Sequence, residues 1–144
     1  MPLLHASCVE YTGSGILICG EPGSGKSDLC FRLIGKGARL TADDQTIIEN
    51  DGGRLTASCP ECLRGLLEIR GIGIVETPFL PQTRINLKLS LQTGEKIDRM
   101  PEAETETIEG VEIPVLRINA FEASVILKIE TYLQILRGQR KVIR

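Results

Sequence analysis

The chain has 144 residues, 42% of them hydrophobic and 25% charged, with a formal net charge of −2, and this length suffices for one buried core without disulfide or metal cross-links. Near-neutral charge and an aromatic content of only 3% argue against nucleic-acid binding, which uses a basic surface and stacked rings. No apolar run approaches the roughly 20 residues of a membrane span, and the N-terminus lacks a signal-peptide pattern, so we expect a single-domain cytoplasmic protein with no membrane partner.

The first third of the chain predicts a strand, a helix and a second strand. Residues 15–20 form a short apolar run between glycines, which is typical of a strand buried on both faces. Apolar residues at helical spacing predict a helix over 26–35, and residues 39–42 predict a strand that ends at Asp43 and Asp44. A right-handed crossover makes the second strand parallel to the first and brings its carboxyl end beside the turn that precedes the helix.

Antiparallel strands are predicted in the middle of the chain. Segments 46–49 and 54–57 flank a turn rich in Asn, Asp and Gly, as in a β-hairpin. Further strands are predicted at 66–70 and 72–75, and the alternation of apolar and polar residues over 83–91 indicates a half-exposed strand. The fold class predicted is therefore α/β, with antiparallel strands added to a parallel unit.

Charge is segregated toward the C-terminal end of the sequence. Residues 98–112 contain six acidic residues and one arginine, and we interpret this segment as a mobile, solvated loop. Residues 128–144 contain five basic residues against one glutamate. Residues 121–137 carry an apolar stripe at helical spacing, which predicts a helix that packs in the core or against another subunit.

The five cysteines are an odd number, and we expect them to be free thiols in a reducing compartment. Cys59 and Cys62 have the spacing of half a zinc site. A structural zinc site needs four ligands, and the chain has no second such pair and only one histidine. We therefore interpret the two cysteines as structural.

A phosphate-binding loop is predicted between the first strand and the first helix. The pattern GxxxxGK[ST] is matched at every required position by Gly20, Glu21, Pro22, Gly23, Ser24, Gly25, Lys26 and Ser27. Such a loop needs a buried strand before it, glycines that let backbone N–H groups converge on phosphate oxygens, and a helix whose N-terminus faces the anion. The predicted elements provide all three, with Lys26 directed at the β and γ phosphates and the Ser27 hydroxyl at Mg²⁺.

Two adjacent carboxylates, Asp43 and Asp44, follow the second predicted strand. Side chains alternate along a strand, so we expect one carboxylate to face the phosphates and the other a neighbouring group. A carboxylate in this place is suited to remove the proton of a hydroxyl group that accepts the γ-phosphoryl group.

Four segments together are more specific than a phosphate loop alone. They are His5, the loop 20–27, the segment 36–44 with its double Asp, and the octapeptide Leu-Glu-Ile-Arg-Gly-Ile-Gly-Ile at 67–74. Over nearly its whole length the chain resembles the catalytic domain of the HPr kinase/phosphorylase family. The resemblance implies a P-loop-containing mixed sheet with flanking helices, similar to the phosphoenolpyruvate carboxykinase-like nucleotide-binding core.

The resemblance also implies roles for individual residues. Lys26 would contact the phosphates of ATP, Ser27 and Glu68 would bind Mg²⁺, and Asp44, beside Asp43, would be the base that deprotonates the target serine. His5 resembles the active-site histidine of the family, although Ala6 stands where the family commonly has glycine.

Arg99 resembles the catalytic arginine of the family. The planar N–H donors of a guanidinium group can hydrogen-bond the oxygens of a transferring phosphoryl group and stabilise their charge. The alternative is that Arg99 is a surface partner of the acidic residues around it.

The resemblance implies Mg²⁺- and ATP-dependent phosphorylation of a serine on an HPr-like phosphocarrier, by a short form without the family's N-terminal domain that assembles as a hexamer. The segment 114–119 departs from the family's Pro-Gly-Arg-Asn stretch, which leaves the reverse phosphorolysis by inorganic phosphate open. Two other functions remain as alternatives: a small-metabolite kinase on a P-loop fold and a nucleotide-dependent binding module. The low aromatic content predicts a nucleotide held mainly by its phosphates.

Overall fold

A curled mixed sheet dominates the computed structural model, which describes residues 2–143. In this part of the chain the strands are β1 (Leu3–Leu4), β2 (Ser7–Tyr11), β3 (Ser14–Cys19), β4 (Arg39–Ala42), β5 (Thr46–Asp51), β6 (Arg54–Ser58), β7 (Leu66–Ile69), β8 (Gly73–Glu76), β9 (Gln82–Leu91), β10 (Glu104–Ile108) and β11 (Val111–Ile118). The α-helices are α1 (Lys26–Gly35) and α2 (Val125–Leu136), and short 3₁₀ helices span Glu61–Leu63 and Gly94–Lys96. The order of the elements agrees with the strands, hairpin and two helices predicted from the sequence.

Strand β9 organises the sheet. The main path runs β1-β5-β6-β9-β3-β2-β4, and β11 lies beside β9 with β10 on its outer side. Strands β3 and β11 are parallel to β9, whereas β6 is antiparallel to it. The hairpin β7–β8 forms a separate two-stranded sheet.

The predicted parallel unit is present, but its two strands are not neighbours. Strand β2 lies between β3 and β4 and is antiparallel to both, so β3 and β4 run in the same direction one strand apart. The carboxyl end of β4 nevertheless reaches the start of α1, where Asp43 accepts a hydrogen bond from Ser27.

Apolar side chains bury both faces of the central strands. On one face, Ile16 and Ile18 of β3 pack with Leu29 and Leu33 of α1 and with α2. On the other face, Leu17 packs in a second cluster that the curled strands β5 and β6 cover. This explains why residues 15–20 are a continuous apolar run.

The interpretation of residues 98–112 as a mobile loop is wrong, because residues 104–118 form the antiparallel hairpin β10–β11. Two of its acidic side chains, Glu104 and Glu106, are held by cations of β11 and β9. Arg117 donates to both carboxylate oxygens of Glu104 at 2.8 and 3.0 Å, and Lys88 donates to both oxygens of Glu106 at 2.9 and 3.0 Å. The hydrogen bonds from Arg117 hold the pKa of Glu104 below its usual value. The acidic composition therefore marks one exposed strand face rather than a disordered segment.

Helix α2 begins at Val125, four residues later than the apolar stripe predicts. The sequence left open whether the apolar stripe packs in the core or against another subunit. Val125, Ile129 and Leu133 of the stripe are buried in the core. In the described part of the chain, no helix is both long and apolar enough to span a membrane.

All five cysteines are free thiols, as expected. Cys8 and Cys30 are fully buried, and burial raises the pKa of each thiol far above its usual value. Of the spaced pair, Cys59 is buried with a raised thiol pKa, while Cys62 is exposed.

Candidate active site

The phosphate-binding loop folds as a turn that leads directly into α1. Gly23 and Gly25 have φ angles of 81° and 96°, a left-handed conformation that glycine adopts without strain. A side chain at Gly25 would come within 3.0 Å of the Cβ of Ala120, so the loop also needs glycine there for lack of space. Gly25 is the N-cap of α1, and its carbonyl accepts the first helical hydrogen bond from Leu29 at 2.9 Å.

Lys26 lies at the first position of α1 and is 8% exposed. Its ammonium group donates a 2.9 Å hydrogen bond to the carbonyl oxygen of Gly20, across the loop. The hydroxyl of Ser24 is buried inside the loop and has no hydrogen-bond partner among residues 2–143. The loop thus holds an ammonium group and a free hydroxyl beside the N-terminus of a helix, where the backbone favours an anion.

Asp43, which directly follows β4, connects the end of this strand to the phosphate-binding loop. Its Oδ1 accepts hydrogen bonds from the hydroxyls of Ser27, at 3.2 Å, and Ser7, at 3.1 Å. Its Oδ2 accepts the backbone N–H of Glu68 at 3.3 Å, which attaches β7 to the same carboxylate. One carboxylate therefore contacts the loop, β2 and β7 together.

Asp44 pairs with the predicted histidine. Its Oδ1 lies 3.0 Å from Nε2 of His5, and the two side chains are 50% and 65% exposed. Asp44 has a φ angle of 67°, and its backbone N–H donates to the hydroxyl of Ser7 at 3.1 Å. This left-handed backbone, which Asp tolerates better than most residues, separates the directions of the two adjacent carboxylates.

A single open cavity of about 590 Å³ joins these groups. Its volume is in the range typical of small-molecule sites. It is lined by His5, Pro22, Gly23, Gly25, Lys26, Ser27, Asp28, Phe31, Asp43, Asp44, Glu68, Ile69, Arg70 and Phe121.

Most of the residues predicted from the sequence meet in this cavity. His5, Lys26, Asp43, Asp44 and Glu68 line it, although they come from four separate segments of the chain. The loop residues Gly20, Glu21 and Ser24 belong to the same turn, but their side of it is not part of the cavity lining.

Arg99 is the one predicted catalytic residue that does not reach the cavity. It is exposed in the connection between the second 3₁₀ helix and β10. A different arginine, Arg70, lines the cavity from the end of β7. The role that the resemblance implies for Arg99 stays a prediction.

Six residues of the site were not predicted from the sequence: Ser7, which contacts Asp43, and the lining residues Asp28, Phe31, Ile69, Arg70 and Phe121. Arg70 lies inside the octapeptide 67–74 and could have been found there. Ser7 is an ordinary polar residue of a strand, and the two phenylalanines are isolated apolar residues. Nothing in the local sequence distinguishes these three from structural residues.

Within residues 2–143, no three His, Cys, Asp or Glu side chains converge as ligands of a metal ion. Two carboxylates, Asp43 and Glu68, and the hydroxyl of Ser27 do lie around one side of the loop. Mg²⁺ commonly takes only one or two carboxylates from the protein and completes its shell with water and substrate phosphates.

Comparisons with known proteins show the family to which the chain belongs. The family described as HPr Serine kinase C-terminal domain matches residues 2–141. An HPr kinase/phosphorylase of Limosilactobacillus reuteri is 35% identical over 127 residues, which are 80% of this chain and 40% of the relative. One of Clostridium tetani is 47% identical over 77 residues, which are 54% of this chain and 25% of the relative. The chain thus spans about two fifths, or less, of the length of these curated relatives.

A solved structure is similar over nearly the whole fold. The Hpr(Ser) kinase/phosphatase from Coxiella burnetii matches with a TM-score of 0.86 at 30% sequence identity, covering 96% of this chain and 98% of that chain. This match confirms the predicted mixed sheet with flanking helices.

Proposed function

Because the chain belongs to the family of HPr serine kinase C-terminal domains, we propose that it transfers the γ-phosphoryl group of ATP to a serine of an HPr-like phosphocarrier protein. One observation carries the proposal: the phosphate loop and the acid pair adjoin, with Ser27 of the loop 3.2 Å from Asp43 and with Asp44 in the same cavity. A phosphoryl donor and an acceptor hydroxyl can therefore be held next to each other, which is the main requirement of phosphoryl transfer.

The loop fits the triphosphate of ATP. Gly23 and Gly25 carry no side chain that would cover the backbone N–H groups of the turn. The ammonium group of Lys26, which lines the same cavity, supplies a further donor for phosphate oxygens. The positive end of α1 adds to the attraction.

The hydroxyl of Ser27 and the carboxylate of Glu68 fit Mg²⁺, and we assign them to it. Ser27 donates its hydroxyl proton to Asp43, so its oxygen lone pairs remain for a cation. Asp43 then positions Ser27 rather than the substrate. When bound, ATP with Mg²⁺ supplies the phosphoryl group and neutralises charge as it develops.

Asp44 is the better base of the two carboxylates. Asp43 accepts three hydrogen bonds, which occupy its oxygens. The side chain of Asp44 is half exposed, and only its Oδ1 pairs with His5. A serine hydroxyl can therefore give its proton to Oδ2 of Asp44 while His5 positions the carboxylate.

Among residues 2–143, Arg70 is the arginine that lines the cavity, and from there it can contact phosphoryl oxygens. Its fork of N–H donors suits a phosphoryl group that is being transferred. We assign this contact to Arg70 and keep Arg99 as the residue that the family resemblance implies.

The kinase direction is the better supported of the two directions. Arg117, in the segment where this chain departs from the family pattern, is held by both oxygens of Glu104 on the outer hairpin and does not line the cavity. Phosphorolysis of the seryl phosphate by inorganic phosphate is therefore a separate measurement. The hexameric assembly that the resemblance implies is tested by light scattering of the purified protein, where a monomer at micromolar concentration would contradict it.

The direct test uses γ-labelled ATP, Mg²⁺ and purified HPr-like proteins from the same cell. We expect label on a serine of one carrier, lost when Asp44 is replaced by Asn. Adding inorganic phosphate to the labelled carrier then measures the reverse reaction. ATP hydrolysis that no carrier accelerates, or label on a small metabolite instead, would contradict the proposal and favour one of the two alternatives.

A further inference from the structure

Phe121 is an exposed aromatic side chain at the edge of the phosphate loop. It lies in the connection between β11 and α2 and is 68% exposed. Its ring atoms are 3.3 and 3.4 Å from the place where a Cβ of Gly25 would lie, so the ring borders the loop directly. It also lines the cavity that contains Lys26 and the acid pair.

Three interactions hold the backbone on which this ring is mounted. The N–H of Phe121 donates to the side-chain oxygen of Asn119 at 3.0 Å. The preceding carbonyl, of Ala120, accepts a hydrogen bond from the guanidinium group of Arg32 in α1. Arg32 is itself paired with Asp28 at 3.0 Å, one helical turn earlier. The ring therefore has a fixed attachment to the helix that follows the loop.

The ring lies on the opposite flank of α1 from the acid pair. An α-helix turns about 100° per residue, so Ser27 and Arg32, five positions apart, point in directions about 140° apart. Ser27 contacts Asp43 on one flank, and Arg32 contacts the carbonyl before Phe121 on the other. The loop with Lys26 lies between the two flanks.

A bound nucleotide also has two different ends, which can be matched to the two flanks of α1. Its γ-phosphate must face the acceptor hydroxyl, and its base lies at the other end of the triphosphate. If the γ end faces Asp44, the base emerges on the flank of Phe121. We propose that the ring of Phe121 is the platform on which the base of the bound nucleotide stacks.

This assignment rests on the proposed function, and it adds a contact with the base to a site whose aromatic content predicted a nucleotide held mainly by its phosphates. Stacking on one ring does not distinguish between bases, because every base has a π face. The proposal therefore predicts that Phe121 contributes to the affinity for ATP and for GTP alike.

The test compares ATP with inorganic tripolyphosphate, which carries the phosphates but no base, by calorimetric titration in the presence of Mg²⁺. For Phe121→Ala we expect the affinity for ATP to fall by about 5- to 100-fold, the range for one base stacked on an aromatic ring. The affinity for tripolyphosphate should not change, and Phe121→Tyr should retain the affinity for ATP. The side chain is mostly exposed, so the thermal unfolding midpoint of the alanine variant should remain close to that of the wild type.

Phe31 provides the matched control. It lines the same cavity and is 41% exposed, but it follows Ser27 by four positions and lies on the flank of the acid pair. Phe31→Ala should leave the ratio of the ATP and tripolyphosphate affinities unchanged.

The outcomes separate the two proposals. If the wild type binds both ligands and Phe121→Ala binds ATP as tightly as before, the assignment of the base is wrong while the proposed function stands. A selective loss of ATP affinity in Phe31→Ala instead would put the base on the other flank and equally overturn it. If the wild type binds neither ligand, the proposed function fails together with this assignment.

Discussion

The hydroxyl of Ser7, which is fully buried, donates a hydrogen bond to Asp43 Oδ1 at 3.1 Å. The hydroxyl oxygen of Ser7 also accepts a hydrogen bond from the backbone N–H of Asp44 at 3.1 Å. A single hydroxyl from β2 thus fixes the carboxylate of one acidic residue and the backbone of the next. The left-handed backbone of Asp44, with φ at 67°, is held by this contact and by the pair with His5.

We expect Ser7→Ala to lower both turnover and stability. It leaves the N–H of Asp44 without its partner and removes one of the three hydrogen bonds to Asp43, which should cost about 1–3 kcal/mol of unfolding free energy. The turnover for carrier phosphorylation should fall because both carboxylates lose their orientation. The measurements are urea unfolding and initial rates.

Ser14→Ala is the control for this change. Ser14 is also buried and its hydroxyl accepts a 2.8 Å hydrogen bond from Arg137, but it lies at the other end of the sheet. Its loss should reduce stability without lowering turnover of the remaining folded protein. Equal turnover in the two variants would show that Ser7 has only a structural role.

The two aspartates should differ in which step they affect. Asp44→Asn removes the proposed base and should reduce phosphoryl transfer by about 10²–10⁴-fold, with little change in the affinity for Mg²⁺ and ATP. Asp43→Asn disturbs Ser27 and should weaken that affinity as well. Calorimetric titration and single-turnover transfer separate the two effects, and the reverse pattern would exchange the assignments.

The two candidate arginines can be ranked by substitution. Removing one well-placed donor to a transition-state oxygen commonly costs about 10²-fold in turnover, and we expect this for Arg70→Ala, whose side chain lines the cavity. Arg99→Ala should cost less, because Arg99 is exposed and outside the cavity. Initial rates of carrier phosphorylation measure both, and a greater loss for Arg99→Ala would support the role that the family resemblance implies.

The two left-handed glycines of the loop form a matched pair for substitution. Gly23→Ala places a methyl group in open space and should cost about 1 kcal/mol of backbone strain. Gly25→Ala adds a 3.0 Å contact with Ala120 to the same strain and should be the more destabilising of the two. Denaturant unfolding checks the order, and equal destabilisation by the two substitutions would mean that the connection carrying Ala120 moves freely.

Thiol reactivity should follow burial. Burial raises the pKa of the Cys8 and Cys30 thiols, so both remain protonated and unreactive at pH 8, whereas Cys62 is exposed. Titration with a chromogenic disulfide should therefore give one fast thiol in the folded protein and all five after unfolding in guanidinium. The fast phase should disappear in Cys62→Ser, and rapid reaction of Cys8 or Cys30 would mean that the core opens.

The fold was predictable where each element carried its own local signal. The apolar run before the loop, the glycine-rich turn and the alternation in β9 each determine a local conformation, and these elements are found where they were expected. The hairpin β10–β11 was missed because its acidic residues have the composition of a solvated loop. Their partners, Lys88 and Arg117, become visible only when the strands are side by side.

Spacing and residue type are local properties, so they were enough to predict the phosphate loop, the helix after it and the presence of two carboxylates. Which carboxylate contacts the loop depends instead on tertiary contacts, those of Ser7 and of the backbone of Asp44. The tertiary structure also brings Arg70 rather than Arg99 into the cavity and Phe121 to the edge of the loop. These residues are far apart in the chain, and only packing of the strands and helices around a common core brings them together.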